Sequence, residues 1–561
     1  MRDIEIVALH EHPVITFACE ELQRISASNG EPATVTRNTG NRSHAIIVGT
    51  WAEVRSCGIA LTDPDGGSPS GVPANVQEDA FFIGALECCF VISGMTERAT
   101  LFAVYRYCRE RWGKVWPYPA EPVQMRRRQQ AREKIAQQWH RPLIGRRGFV
   151  FESGIDVTYI AAMIDWLAKN EANEVFFTFH LWDQIKDAVY PEIIKRGLAL
   201  TLGGHSLSFF LEGADTPHLA AQVDFREESW QEICLHRVVE YCKSIPALAR
   251  LSLWPEDTAI HDDPELAASF LPAYIAFAEK AQRALRAYMP AIRVEHIAYN
   301  AGLSWSMLEP GDGQSASGSV DTLYAYWGRD YRTTMDSSLQ SSDRRAHEAL
   351  AAWKRATGKT GRQLTVFEYY SDHFMLSYLF PSFPRQIARD IAYYKGMGVD
   401  GITNLVVPNK GQADYSWQWA HGFHAFIFCR CAWGEPLEDA LEAYYSWYGE
   451  EAETVRRWFQ IVEVWATAIT AWNVPLFPAR AVDADKVADK TPYAEDIVHF
   501  CRRLRRELHP VVRDGASKYG QLAPDDAGRA TAIRQAYSYM RHLYETAEAV
   551  AAAWETNHET K

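Results

Sequence analysis

Carboxylates, histidines and aromatic residues recur together at the ends of several apolar runs in this chain, and the chemistry they could do is acid–base cleavage. Glu256 follows Leu253-Trp254-Pro255, and Glu368 precedes Tyr369-Tyr370, with Asp257 and Asp372 competing for the same roles. One carboxylic acid that protonates a leaving oxygen, beside a second carboxylate that acts as nucleophile or activates water, is the equipment that splits a glycosidic bond. On this reading Glu256 is the general acid, kept protonated by apolar neighbours such as Trp254, and Glu368 is the nucleophile or base. His180, Trp182, His205, Trp254, Asp257, Tyr299, Asn300, Trp327 and Tyr370 are the candidate substrate-binding residues, because such groups hydrogen-bond sugar hydroxyls or stack on pyranose C–H faces. Arg147 and Arg329 are the cations that would favour a uronic acid. Each residue has a plain structural alternative: a carboxylate can cap a helix or pair with an arginine, and a tryptophan can pack in a core.

Two rival readings use the same residues. His180, His205 and His373 could ligate a metal in a metal-assisted hydrolase, although the first strand lacks the His-x-His pair such enzymes carry. The chain could also bind carbohydrate without turning it over. Two carboxyls suffice for glycoside cleavage, so no cofactor and no metal are expected.

These residues need a frame that brings strand ends together. Apolar runs near 147–153, 174–182, 198–204, 248–254, 292–299, 321–327, 363–370 and 400–407 read as strands. Helical patterns lie between them, as at Tyr159–Ala168, Leu266–Ala287, Ala346–Ala356 and Arg385–Gly396. Strands alternating with helices argue for a parallel sheet, and that number of them closes an α/β barrel, a (β/α)8 TIM barrel whose catalytic groups stand at the carboxyl ends of its strands. In that frame Glu256 after the fourth strand and Glu368 on the seventh would face each other across the mouth.

The remainder divides around the barrel. Residues 1–120 read as an α/β accessory domain, with strands at Ile4–Leu9, Ala45–Thr50 and Cys89–Ser93 and an amphipathic helix from Thr100 to Arg111 that stops at Gly113. The barrel takes 121–412, and 413–561 reads as an α-helical region, as in Pro436–Tyr448, Ala452–Trp472 and Ala532–Trp554, with a surface that could serve a homodimer.

Composition narrows the function. A net charge of −13 over 561 residues, with Arg126-Arg127-Arg128 as the one basic run, argues against nucleic acid as a partner. The absence of a long uninterrupted apolar stretch argues against a membrane span. The cysteines show no CxxC pair, and the N-terminus enters strand-like sequence without a signal-peptide pattern, so a cytoplasmic location is expected. The chain holds 19 Trp, 26 Tyr and 25 Phe, which suits sugar stacking and large cores alike.

A family resemblance sharpens this. Thr96-Glu97-Arg98-Ala99-Thr100-Leu101-Phe102-Ala103-Val104-Tyr105, with Glu110-Arg111-Trp112-Gly113 and Trp116-Pro117, resembles the end of the accessory N-terminal domain of α-glucuronidases and β-hexosaminidases. Lys195-Arg196-Gly197, Gly203-Gly204-His205-Ser206 and Leu253-Trp254-Pro255-Glu256-Asp257 resemble a bacterial group related to them, to whose helical C-terminal part Trp433-Gly434 through Tyr448-Gly449 is similar. The resemblance implies a glycoside hydrolase with α-glucuronidase-like or hexosaminidase-like exo-activity on an oligosaccharide or glycoside. It departs at one point: the hexosaminidases carry Asp then Glu after the fourth strand, and here Glu256 precedes Asp257.

Overall fold

In this computed structural model the described residues are 4–37, 44–61, 74–86, 89–119, 123–124, 135, 137–153, 156–213, 224–256, 264–300, 305–311, 317–372, 381–407, 415–469, 494–523 and 528–559. The short apolar runs of the first part build an open sheet from β1 (Ile4–Ala8), β2 (Ala33–Thr36), β3 (Ile46–Thr50), β4 (Phe81–Ala85) and β5 (Phe90–Gly94). A two-stranded ribbon follows, β6 (Lys114–Val115) with β7 (Val123–Gln124), and β8 (Gln138–His140) completes the sheet in the order β2-β1-β3-β5-β4-β8. Its last strand thus comes from beyond residue 120. Neighbours among β1, β2, β3 and β5 run parallel, while β4 is antiparallel to both β5 and β8.

Helices α1 (Pro13–Ser28), α2 (Trp51–Ser56), α3 (Ala74–Gln77) and α4 (Glu97–Trp112) accompany these strands. The limits of α4 follow from its ends. Thr96 Oγ1 accepts the amide of Ala99, and Gly113 takes the left-handed conformation (φ 65°) that closes a helix.

The second part is a closed barrel of parallel strands: β9 (Arg146–Phe151), β10 (Glu174–Thr178), β11 (Ala199–His205), β12 (Leu248–Trp254), β13 (Arg293–Tyr299), β14 (Asp321–Ala325), β15 (Leu364–Asp372) and β16 (Gly401–Val407), with β16 pairing back to β9. The expected (β/α)8 architecture is therefore present. Between the strands lie α5 (Val157–Lys169), α6 (Phe179–Ile194), α7 (Ser206–Leu211), α8 (Gln231–Lys243), α9 (Pro264–Arg286), α10 (Ser341–Thr360) and α11 (Pro384–Gly396).

One strand is shorter than expected. The run from 174 to 182 leaves the sheet at Thr178, and His180-Leu181-Trp182 already belong to α6. Leu181, Trp182 and Ile185 form the buried stripe of that helix, and a continuous apolar run does not separate strand from helix by period.

A buried polar junction joins the barrel to the first sheet. Arg147 Nη2 donates to Asp79 Oδ2 at 2.7 Å, Arg98 pairs with the same carboxylate, and Asn173 Nδ2 donates to it at 2.6 Å. The third part is helical: α12 (Trp417–Ala432), α13 (Leu437–Tyr445), α14 (Ala452–Ile469), α15 (Ala494–Lys518) and α16 (Arg529–Glu559). α12 lies on the barrel wall, where Phe428 meets Phe149 edge-on at 5.5 Å. Tyr444, Tyr445, Trp447 and Tyr448 are buried core residues of this region. Among the described residues no helix is long and apolar enough to cross a membrane.

Candidate active site

Alternation along each strand sorts the barrel residues into an inner and an outer set. At the amino end the inner set is ionic. Arg146 donates to Glu174 Oε2 at 2.7 Å and to Glu295 Oε2 at 2.6 Å, and Arg250 donates to Asp321 Oδ2 at 2.6 Å. Burial alone would raise the Asp321 carboxyl, and Arg250 and Arg293 instead hold it well below the usual carboxylate range.

One layer higher the axis is aromatic, with Trp254 5.6 Å from both Phe176 and Phe367. Gly203 makes room for this layer, since a Cβ there would fall 2.6 Å from the Phe176 ring. Above it, at the carboxyl end, alternation brings Glu152, Thr178, His205, Tyr299, Trp327 and Tyr369 to the mouth, where Glu256 follows β12 and Asp372 ends β15.

On the β11–β12 side, Trp254 buries its ring under the mouth and donates its indole N–H to Ser252 Oγ at 2.8 Å. Glu256 Oε1 accepts the Ser208 amide at 2.9 Å, and Glu256 Oε2 lies 4.0 Å from His205 Nδ1. His205 Nδ1 is 2.7 Å from the Pro255 carbonyl, which can only accept, so this nitrogen carries a proton. His180 is exposed and rests edge-on against Phe209 at 5.0 Å.

On the β13–β15 side, Asn300 donates Nδ2 to the Trp327 carbonyl at 3.1 Å and accepts the Trp327 amide on Oδ1 at 2.9 Å. Its amide thus braces Trp327. The Trp327 indole N–H in turn reaches Asp372 Oδ2 at 3.4 Å, and Asp372 is only 2 % exposed.

Three expected site residues lie elsewhere. Glu368 does not face Glu256 across the mouth. Phe367 and Tyr369, with rings 5.1 Å apart, take the inner positions, so Glu368 points into the layer between β15 and α11. There its Oε1 accepts Arg329 Nη1 at 2.7 Å and the Tyr394 hydroxyl, and its Oε2 accepts the Tyr331 hydroxyl at 3.1 Å. Tyr370 points the same way and donates to Asp390 Oδ2 at 2.9 Å. Burial lifts the Asp390 carboxyl to about 6 against the pull of Arg329. Trp182 packs behind β10 against Phe177 and Tyr190, which is core packing.

The two arginines considered for a uronic acid are likewise engaged, Arg147 at the junction with Asp79 and Arg329 with Glu368 and Asp390. Breaking either buried pair to bind a substrate carboxylate would leave a charge uncompensated. Asp257 and His373 lie outside the described residues. Among the described residues no group of three or more His, Cys, Asp and Glu could hold a metal ion.

Glu152 and Tyr369 are mouth residues absent from the expected set. Inner-face parity finds Glu152, which is two residues past Val150 and stands exposed at the end of β9. In β15 every residue is buried, so polarity gives no parity signal there.

No family model matches the sequence, and no curated protein matches it. Solved structures do. A GH115 4-O-methyl-α-glucuronidase with specificity for decorated arabinogalactans superposes with a TM-score of 0.60 at 14% identity, covering 99% of this chain and 76% of its own. A GH138 enzyme targeting pectin rhamnogalacturonan II gives 0.59 at 11% identity, covering 100% of this chain and 71% of its own. CpGH84B gives 0.53 at 9% identity, covering 99% of this chain and 88% of its own. The fold resembles that of glycoside hydrolases: a parallel closed barrel preceded by a mixed α/β sheet and followed by helices.

Proposed function

We propose that this chain is a glycoside hydrolase working by two carboxyls, with Glu256 as general acid and Asp372 as nucleophile or base. The observation that carries the reading is the pair of carboxyls at the mouth in unlike surroundings. Glu256 stands beyond the buried Trp254 ring and accepts the Ser208 amide. Asp372 accepts the Trp327 indole N–H.

In the reaction Glu256 gives its proton to the leaving oxygen, and Asp372 either attacks the anomeric carbon or takes a proton from the attacking water. Trp327 and Tyr299 offer faces for a pyranose ring, and His205 stands at the same rim for a hydrogen bond to a sugar hydroxyl. Glu152 is a further hydroxyl acceptor at the first strand end. The two carboxyls suffice without a cofactor. The substrate class is an oligosaccharide or glycoside cleaved in an exo manner, α-glucuronidase-like or hexosaminidase-like, and the likeness of the fold to a 4-O-methyl-α-glucuronidase supports including uronides.

The test is a panel of aryl glycosides of both anomers, glucuronides and N-acetylhexosaminides among them, with Glu256→Gln and Asp372→Asn in parallel. Turnover of one member that falls ~100-fold or more in both variants is expected. Turnover that both variants keep would overturn the assignment. The anomer released then separates retention, which goes with carboxyls ~5–5.5 Å apart, from inversion at ~6.5–9.5 Å.

A further inference from the structure

The outer face of β15 carries a buried polar cluster that the proposed reaction does not use. It draws Arg329 and Tyr331 from the segment after β14, Glu368 and Tyr370 from β15, and Asp390 and Tyr394 from α11. Arg329 is its hub, giving Nη1 to Glu368 at 2.7 Å and Nη2 to Asp390 at 2.8 Å. Burial alone would lower the Arg329 pKa, and Asp390 and Glu368 together raise it. Replacing a buried ion pair with apolar residues of similar volume is often neutral or stabilising, so stability alone does not account for such a cluster.

Its position does. The pairing of β15 with β16 slips between Glu368 and Ser371: Glu368 stands opposite Asn404 but Ser371 opposite Val406. This is a β-bulge, and a bulge re-aims the side chains that follow it. Tyr370 reaches outward to Asp390, and Ser371, the next residue, also reaches outward, its Oγ 2.8 Å from His421 Nδ1 on α12. Two successive outward residues shift the alternation by one. Asp372 therefore turns inward to Trp327, where an unbroken strand would have sent it outward with Glu368 and Tyr370. Arg329 closes the circuit from the other side, since it follows Trp327 by a single Gly328, which adopts a positive φ of 97°.

We propose that Arg329, Asp390 and Tyr370, together with Ser371 on His421, are positioning residues that clamp the β15 bulge and so set the aim of Asp372 and its contact with Trp327. The inference rests on the reading of Asp372 given above. It predicts that loosening the clamp disturbs the Trp327–Asp372 contact even in a variant that stays folded.

The test reads that contact directly. In the full chain labelled with 15N-tryptophan, the Trp327 indole N–H resonance is identified by its absence from Trp327→Phe, and Asp372→Asn gives its position when the carboxylate is lost. Tyr370→Phe and the milder Ser371→Ala are expected to move it toward that position. Tyr324→Phe on the neighbouring strand β14, which removes a buried hydroxyl bonded to the Ala346 carbonyl of α10, is expected to leave it in place.

A resonance that stays at its wild-type position in both clamp variants overturns the inference, as does an equal move in Tyr324→Phe. On a glycoside that the wild type cleaves, Tyr370→Phe should lower kcat about 10-fold or more with KM little changed, and should cost nothing further on the Asp372→Asn background. Equal costs on both backgrounds would mean a merely structural role. If Asp372→Asn itself keeps full turnover, the catalytic reading fails, while the resonance still judges the clamp.

Discussion

The two ends of the barrel are lined with the same kinds of charged residue and use them differently. At the amino end, Glu174, Glu295 and Asp321 each meet a guanidinium, from Arg146, Arg250 or Arg293, at 2.6 to 2.7 Å. At the carboxyl end, Glu256 takes an amide N–H from Ser208 and Asp372 an indole N–H from Trp327. A carboxylate locked to an arginine is neutralised and fixed. Glu256, which accepts a backbone N–H, instead stands partly exposed at the open end of the barrel. The comparison teaches that partner chemistry, more than residue type, separates charges that hold the barrel from charges that can react. Glu368 obeys the same rule, since it lies near the mouth in sequence yet is matched to Arg329 like the residues at the far end.

The comparison can be broken at either end. Glu295→Leu leaves Arg146 with Glu174 and Arg250 with Asp321 as their remaining carboxylate partners, and should lower unfolding free energy by ~2–3 kcal/mol, read from the urea midpoint; a loss below ~1 kcal/mol would show that the amino-end pairs are not structural. Asp372→Asn should do the reverse, with a urea midpoint near wild type and kcat down ~100-fold or more on any glycoside the wild type cleaves. A large stability loss with unchanged kcat would make the mouth another structural layer. Trp327→Phe keeps a ring but loses the indole donor, and should weaken kcat/KM by ~5-fold, about 1 kcal/mol; an unchanged value would remove Trp327 from the site.

The wall behind β15 carries a pH-dependent effect. Burial pushes His421 and then His424 down, to about 3 and about 4. Their folded values lie below the unfolded value of ~6.5, so between about pH 6.5 and 4 the unfolded chain binds protons that the native state refuses. Their contribution is fully present above that window and is lost as pH falls, at ~1.4 kcal/mol per pH unit for each histidine. His421→Gln should flatten the stability–pH slope by one such increment, and an unchanged slope would show that His421 is already charged in the folded state.

The barrel was legible because strand and helix patterns alternate plainly, and β12 and β16 match their expected spans within a residue. Glu256, His205, Trp254, Tyr299 and Trp327 were legible as mouth residues because each ends a strand or closely follows one. Glu368 and Tyr370 were misplaced because β15 is buried on both faces and carries a bulge, and neither sequence polarity nor a period of two reports a one-residue slip. Trp182 was misplaced because the strand passes into α6 without a break in apolar character. Asn300 had the right location, yet its amide is engaged by the backbone of Trp327, a pairing only coordinates reveal.

The central claim is that the mouth carboxyls Glu256 and Asp372 cleave a glycosidic bond, and the most direct test is turnover of the aryl-glycoside panel by wild type, Glu256→Gln and Asp372→Asn at matched folded concentration. Cleavage of at least one member by the wild type is expected, with a loss of ~100-fold or more in each variant. Cleavage at wild-type rate by either variant would contradict it.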